Sequence, residues 1–205
     1  IYWCCSCKPA LAEAEIEYAN EASPSIYVRF PLADSADDLD PALAGKTVSL
    51  VIWTTTPWTL PANLAVALHP DFVYAAVDTH DHGVLIVAED LVETCMQAFG
   101  ITGYEILARL RAGVLENRYC RHPFLDRKSL IVLGDHVTLE AGTGCVHTAP
   151  GHGREDYELG LAYGLDAYSP VDENGRLTDE IPEFAGQFVF KADAGIIDRL
   201  AADGM

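Results

Sequence analysis

The chain has 205 residues, 50% of them hydrophobic, and carries 13 Lys+Arg against 31 Asp+Glu, a net charge of −18. That supports one sizeable core in a single large domain, and it argues against a broad nucleic-acid-coating surface, though not against a small site for the end of a nucleic acid. No apolar run approaches the roughly 20 residues that span a bilayer, and no leader-like segment opens the chain, so a cytoplasmic protein with no membrane partner is expected.

Residues 1–9 (IYWCCSCKP) read as a tether, and residues 10–205 as one domain. Ala10 to Tyr18 is read as a strand with one wet face, from its Glu13-Glu15-Glu17 alternation. Asp34 to Gly45 is a polar loop, and Val48 to Trp53 an apolar, β-branched strand. Val73–Val77 and Val84–Val87 flank a hairpin-like connection. Glu89 to Phe99 reads as a helix stopped by Gly100, Tyr104–Leu110 and Leu130–Leu133 as strands, and Gly144–Thr148 as another. Arg154–Tyr163, ending at Gly164, and Lys191–Ala202 read as helices. Many short strands with few helices predict an α+β fold, a barrel-like mixed sheet with peripheral helices. The scattered cysteines, Cys95, Cys120 and Cys145, are expected to be buried small apolar residues in a reducing compartment.

Two segments carry candidate chemistry. In Trp53-Thr54-Thr55-Thr56-Pro57-Trp58-Thr59-Leu60-Pro61-Ala62-Asn63, three hydroxyls follow an apolar strand, and Pro57 keeps Thr56 out of a helix. Hydroxyls at a strand's mouth hold polar ligand groups or a water; the same residues also serve simply to prolong a strand. In Gly142-Thr143-Gly144-Cys145-Val146-His147-Thr148-Ala149-Pro150-Gly151-His152-Gly153-Arg154-Glu155-Asp156, a short strand presents His147, and a turn leads to a helix with Asp156 in its first turn. A core histidine and a carboxylate favoured by the helix N-terminus are the structural alternatives. The glycines lack the Lys-Ser/Thr of a phosphate loop, and His147 and His152 do not make a metalloprotease pair. Cys145, two residues from His147, leaves a cysteine hydrolase thinkable, and no serine nucleophile elbow is present.

Taken together, WTTTPWTLPAN and, about ninety residues on, GTGCVHTAPGHGREDY resemble the editing domain of bacterial isoleucyl-tRNA synthetases, a domain shared with the valyl and leucyl enzymes. WCCSCKPALAEAEIEY, SPSIYVRF, LGDHVTLEAGTG and PVDENG extend the resemblance over the whole chain. It implies an aminoacyl-tRNA deacylase that hydrolyses Val-tRNA(Ile), and possible valyl-adenylate, by water attack on the aminoacyl ester. The resemblance implies that Asp156 binds the substrate ammonium group and His147 contacts the ester and terminal adenosine while excluding isoleucine. It gives Thr54, Thr55 and Thr56 the positioning of water, and Trp53 and Asn63 the shaping of the site. His152 is expected only at the rim. The general base stays open; His147 has a suitable intrinsic pKa near 6.5.

The implied partners are the 3′ end of mischarged tRNA(Ile) and the rest of a synthetase chain, with the 205 residues themselves monomeric. No cofactor is implied for hydrolysis. Cys4 and Cys7, with Cys5 between, offer half of a tetrahedral zinc site; the resemblance implies that the other pair, where family members have one, follows the editing domain, and an unliganded tail is the alternative. A non-catalytic tRNA-docking or zinc-ribbon module and a free-standing editing hydrolase are the alternatives. With no His-x-Gly-His signature and four dispersed lysines, no ATP-dependent activation is expected.

Overall fold

The computed structural model describes residues 2–20 and 22–205. Two sheets carry the domain. A five-stranded sheet has the order β3-β4-β7-β6-β8, and a four-stranded one the order β11-β5-β10-β9. Tyr2–Trp3 (β1) and Ala10–Leu11 (β2) form a separate antiparallel pair. In the larger sheet, β4 (Val48–Thr54) lies between β3 (Ile26–Pro31), antiparallel, and β7 (Val84–Ala88), parallel. β6 (Val73–Asp78) joins β7 and β8 (Glu105–Arg111), both antiparallel. In the smaller sheet, β5 (Ala65–Leu68) pairs with β11 (Cys145–Thr148), antiparallel, and with β10 (Lys128–Leu133), parallel; β9 (Tyr119–Arg121) forms the edge.

The mixed α+β expectation holds, but the barrel does not close. Backbone contacts join the sheets at two places: Leu32 bridges Cys120 with the N–H of Ala33 donating to Tyr119 O at 2.8 Å, and the N–H of Ala88 at the end of β7 donates to Thr143 O, before β11, at 2.8 Å. Each sheet otherwise keeps its own edges, because β8 and β11 end their sheets without a common ladder.

Strand periodicity explains the layers. Val66 and Leu68 of β5 join the main core, while Ala65 and Ala67 face a smaller cluster containing Val132, Val137 and Leu159. Leu159 belongs to α2 (Arg154–Tyr163), which therefore covers the outer face of the smaller sheet. α2 ends at Gly164 in the left-handed conformation, φ +68°, which costs glycine nothing. α1 (Val92–Ala98) follows a 3-10 turn at Glu89–Leu91, and α3 (Val189–Ala202) packs on another 3-10 turn, Pro57–Ala62.

One strand expectation is corrected. Only Ala10–Leu11 is paired; Glu13–Glu15 is a 3-10 turn. The Glu15 carboxylate reaches back to accept the Ala12 N–H at 2.8 Å, satisfying a donor that a strand would have offered to a neighbour.

Candidate active site

The segment 54–64 crosses from one sheet to the other. β4 ends at Thr54, Pro57 starts the 3-10 turn, and Asn63 closes it before β5. β11 runs antiparallel to β5, placing His147 opposite Val66. The two motifs found in the sequence therefore meet where the sheets meet.

Thr54 is buried, Thr55 exposed and Thr56 half-buried. The Thr54 hydroxyl accepts the Thr56 N–H at 3.0 Å, so the run turns instead of extending. Half-buried His147 is held at both ring nitrogens: Nδ1 lies 2.8 Å from Asn63 Nδ2 and Nε2 lies 3.0 Å from Thr59 Oγ1. Burial, with smaller contributions from the neighbouring His152 and Arg127, pushes the His147 pKa down to about 3.

A cavity of about 380 Å³ opens here, within the range of small-ligand sites. Trp53, Thr54 and Thr55 form one side; Gly142–Gly144, His147 and His136 are among the residues of the other. The glycines are required sterically. A Cβ on Gly144, φ +74°, would stand 2.4 Å from the Cβ of Ala88, and one on Gly142, φ +81°, 3.0 Å from the Trp53 ring. Tyr74, fully buried, donates its hydroxyl to Gly144 O at 2.7 Å and pins the turn from below.

Asp156 is not part of this cavity's wall. Its Oδ2 accepts the Ala149 N–H at 2.8 Å, two residues beyond His147. Burial raises its pKa, which the Ala149 bond and the nearby His136 partly offset. A desolvated carboxylate with one backbone donor retains acceptor capacity for a cation. Gly153 leaves it room, since a Cβ there would lie 3.0 Å from the Asp156 carboxyl carbon. His152, expected at the rim, does not line this cavity; it packs edge-on against Trp58, with ring centroids 5.3 Å apart.

Sequence reading missed several contributors. Thr59 and Ser129 complete the hydrogen bonding around Asn63 and His147. Asp193 of α3 accepts the Trp58 N–H at 2.8 Å, and with Thr55, Thr56 and Phe190 it lines a second cavity of about 500 Å³. His136 carries a buried Nε2 without a partner. Cys145, fully buried, has its thiol pKa raised well above the ordinary value by burial, which removes the thiolate that a cysteine hydrolase needs.

At the N-terminus, Cys4 Sγ accepts the Cys7 N–H at 3.4 Å, and backbone donors from Cys7 and Ser6 lower the Cys4 thiol pKa. Such N–H···S bonds suit a thiolate at Cys4, whereas its hydrogen bond and charge raise the thiol pKa of Cys7. Among the described residues no group of three or more His, Cys, Asp or Glu is gathered for a metal.

Residues 38–195 match the family model described as leucyl-tRNA synthetase, editing domain. The chain belongs to this editing-domain family. Its relatives include isoleucine–tRNA ligases from Geobacter sulfurreducens, 57% identical, and Desulfotalea psychrophila, 56% identical; each match covers 100% of this chain and 22% of the relative. The Moorella thermoacetica isoleucine–tRNA ligase is 50% identical over 100% of this chain and 21% of its own length. The chain thus spans about a fifth of these relatives. Two solved structures share the fold of the editing domain. GlLeuRS-CP1 superposes with a TM-score of 0.68 at 17% identity, covering 88% of this chain and 96% of that one. The P. knowlesi cytosolic leucyl-tRNA synthetase editing domain gives 0.54 at 14% identity, covering 70% and 66%. Among the described residues, no helix is long and apolar enough to cross a membrane.

Proposed function

We propose that this editing domain hydrolyses valine esterified to tRNA(Ile), acting in cis within an isoleucyl-tRNA synthetase in the cytoplasm. The need is physical. One methylene separates valine from isoleucine, worth about 1–3 kcal/mol in an apolar pocket, and isoleucine selection is the type case of that limit. A second, smaller site that admits valine and hydrolyses it supplies the rest.

The observation that carries this reading is His147 held between Asn63 and Thr59 at the wall of the cavity that Thr54 and Thr55 also line. A ring fixed at both nitrogens is a rigid steric wall, suited to excluding the extra methyl of isoleucine. It is poorly placed to be a base, because neither nitrogen has a free lone pair. The attacking water is positioned by threonine hydroxyls. Its oxygen bonds the ester carbonyl carbon, the bond to the ribose oxygen breaks, and the water's proton passes to that oxygen with the neighbouring ribose hydroxyl as carrier. Asp156 anchors the ammonium group. An ester is already activated, so orientation contributes more than a strong base. The same site accommodates the valyl-adenylate carbonyl.

No cofactor takes part. Cys4 and Cys7 would supply two zinc thiolates, completed by ligands elsewhere in a longer chain; zinc titration of the 205 residues should show weaker binding than that longer chain. Deacylation of Val-tRNA(Ile) and Ile-tRNA(Ile), with titration of a non-hydrolysable valyl-adenosine amide, tests the reading. Valine should be released selectively, and Asp156→Ala should weaken amide binding at least tenfold, the value of one charge-assisted contact of about 1.5–3 kcal/mol. Full valine release by Asp156→Ala would remove the ammonium role.

A further inference from the structure

Ser129 lies on β10 with no exposed surface, and its hydroxyl donates to Oδ1 of Asn63 at 2.5 Å. Asn63, also fully buried, donates through Nδ2 to the carbonyl of Ala65 at 2.7 Å and to Nδ1 of His147 at 2.8 Å. Both amide hydrogens are then used. The reverse amide would set an oxygen against the Ala65 carbonyl, which has no proton to give. The Asn63 amide therefore faces His147 with its nitrogen.

The consequence passes along the chain of bonds. Nδ1 of His147 has to accept, so its proton sits on Nε2. Nε2–H donates to Thr59 Oγ1 at 3.0 Å, and the Thr59 hydroxyl donates to Thr56 O at 2.8 Å. The Thr56 N–H donates to Thr54 Oγ1 at 3.0 Å. From Ser129 to Thr54 every donor points the same way.

We infer that Ser129 is a positioning residue for the hydrolytic site: through Asn63 it fixes His147 as the neutral, Nε2-protonated tautomer, and this tautomer in turn holds the threonine turn. The polarity is set by the Ala65 carbonyl, which can only accept; the Ser129 hydroxyl, able to donate or accept, follows it and holds Asn63 Oδ1 in place, and neither residue reaches the cavity. The catalytic consequence rests on the hydrolytic reading above; the tautomer does not.

The test separates the two. Histidine ¹⁵N spectra of the 205-residue chain should show His147 with a protonated Nε2 and a bare Nδ1; a protonated Nδ1, or a mixture of tautomers, overturns the inference. Asn63→Asp, whose carboxylate accepts only, should move the ring proton to Nδ1; retention of the original tautomer overturns the inference. Ser129→Ala should speed exchange of the Nε2 proton and lower turnover of Val-tRNA(Ile) about tenfold with KM unchanged, the effect of one lost hydrogen bond. Ser129→Cys, a weak donor of similar size, should fall between. If Ser129→Ala does not fold, Ser129→Cys and Asn63→Asp carry the test. Ser129 variants with unchanged turnover and an unchanged His147 signal remove the assignment. A chain that fixes the tautomer but releases no valine overturns the functional reading and leaves the ordering of protons standing.

Discussion

Gly144→Ala probes the packing that forms the cavity's far wall. The new Cβ would meet the Ala88 Cβ at 2.4 Å, with φ at +74°. The left-handed conformation costs a non-glycine residue about 1–2 kcal/mol. Forcing a methyl into a packed contact costs about 1–3 kcal/mol more. Together the substitution should destabilise the domain by about 2–5 kcal/mol. Gly164→Ala is the internal control: φ is +68°, yet nothing lies within 4 Å of its added Cβ, so only the conformational cost applies. Urea unfolding followed by circular dichroism measures both. A double-mutant cycle with Ala88→Gly, which removes the opposing carbon, should recover about 1–3 kcal/mol as coupling energy. Valine release should drop in Gly144→Ala, because the displaced turn opens β11 three residues before His147, and remain unchanged in Gly164→Ala. Equal stabilities of the two alanine variants, or a cycle with no coupling, would refute the steric account.

Tyr74→Phe should cost about 2–4 kcal/mol, since it strips the partner from Gly144 O and from the His69 N–H, bonded at 2.7 and 2.9 Å; a loss under about 0.5 kcal/mol in urea unfolding would contradict it. Acidification should weaken the fold. Burial keeps His122, 5% exposed, neutral down to about 3, whereas an unfolded histidine titrates near 6.5. Between those values the unfolded chain binds more protons, so stability is full above pH 6.5 and falls by up to about 1.4 kcal/mol per pH unit below it. His147 acts in the same direction, and Asp156, whose pKa is raised by burial, opposes it in the carboxylate range. Unfolding free energies that stay flat from pH 6.5 to 4 would exclude a neutral buried His122. Finally, deacylation by the 205 residues should depend weakly on salt. A net charge of −18 leaves few phosphate contacts, so one or two predict only about a three- to twelvefold change in KM between 50 and 200 mM salt, and a change of several hundredfold would reveal a basic docking surface.

Legibility in the sequence followed locality. The span of α2 could be read to its ends, because a glycine closes each side and the closing one adopts the left-handed conformation. The β6–β7 hairpin was equally plain from two β-branched runs around a polar turn. β5 was invisible: Ala-Val-Ala-Leu has weak strand preference, and it becomes a strand because β10 and β11 pair with it on either side. β3 and β9 escaped for the same reason, as short edges defined by their partners. Within the site, the family resemblance carried by the two motifs together singled out Thr54–Thr56, Asn63, His147 and Asp156, each of which alone also had a structural reading. It could not show that Ser129 bonds Asn63 across 66 positions or that Asp193 bonds Trp58 across 135, since contacts at such separations exist only in the fold.

The neutral, doubly bonded His147 also bears on why the domain uses these residue types. A histidine free to titrate would change charge near pH 6.5 and would draw its hydrogen bonds into different patterns on either side of that value. Asparagine at position 63 prevents this, because an amide held by an acceptor-only carbonyl can offer His147 only a hydrogen. Aspartate, equal in size, would offer only an acceptor. The geometry of the threonine turn is thereby made insensitive to pH through the range in which a free histidine titrates. On the proposed hydrolysis, a site that orients a water would gain more from that constancy than from a base, since misplacement of a reacting group by about 1 Å can cost a hundredfold in rate.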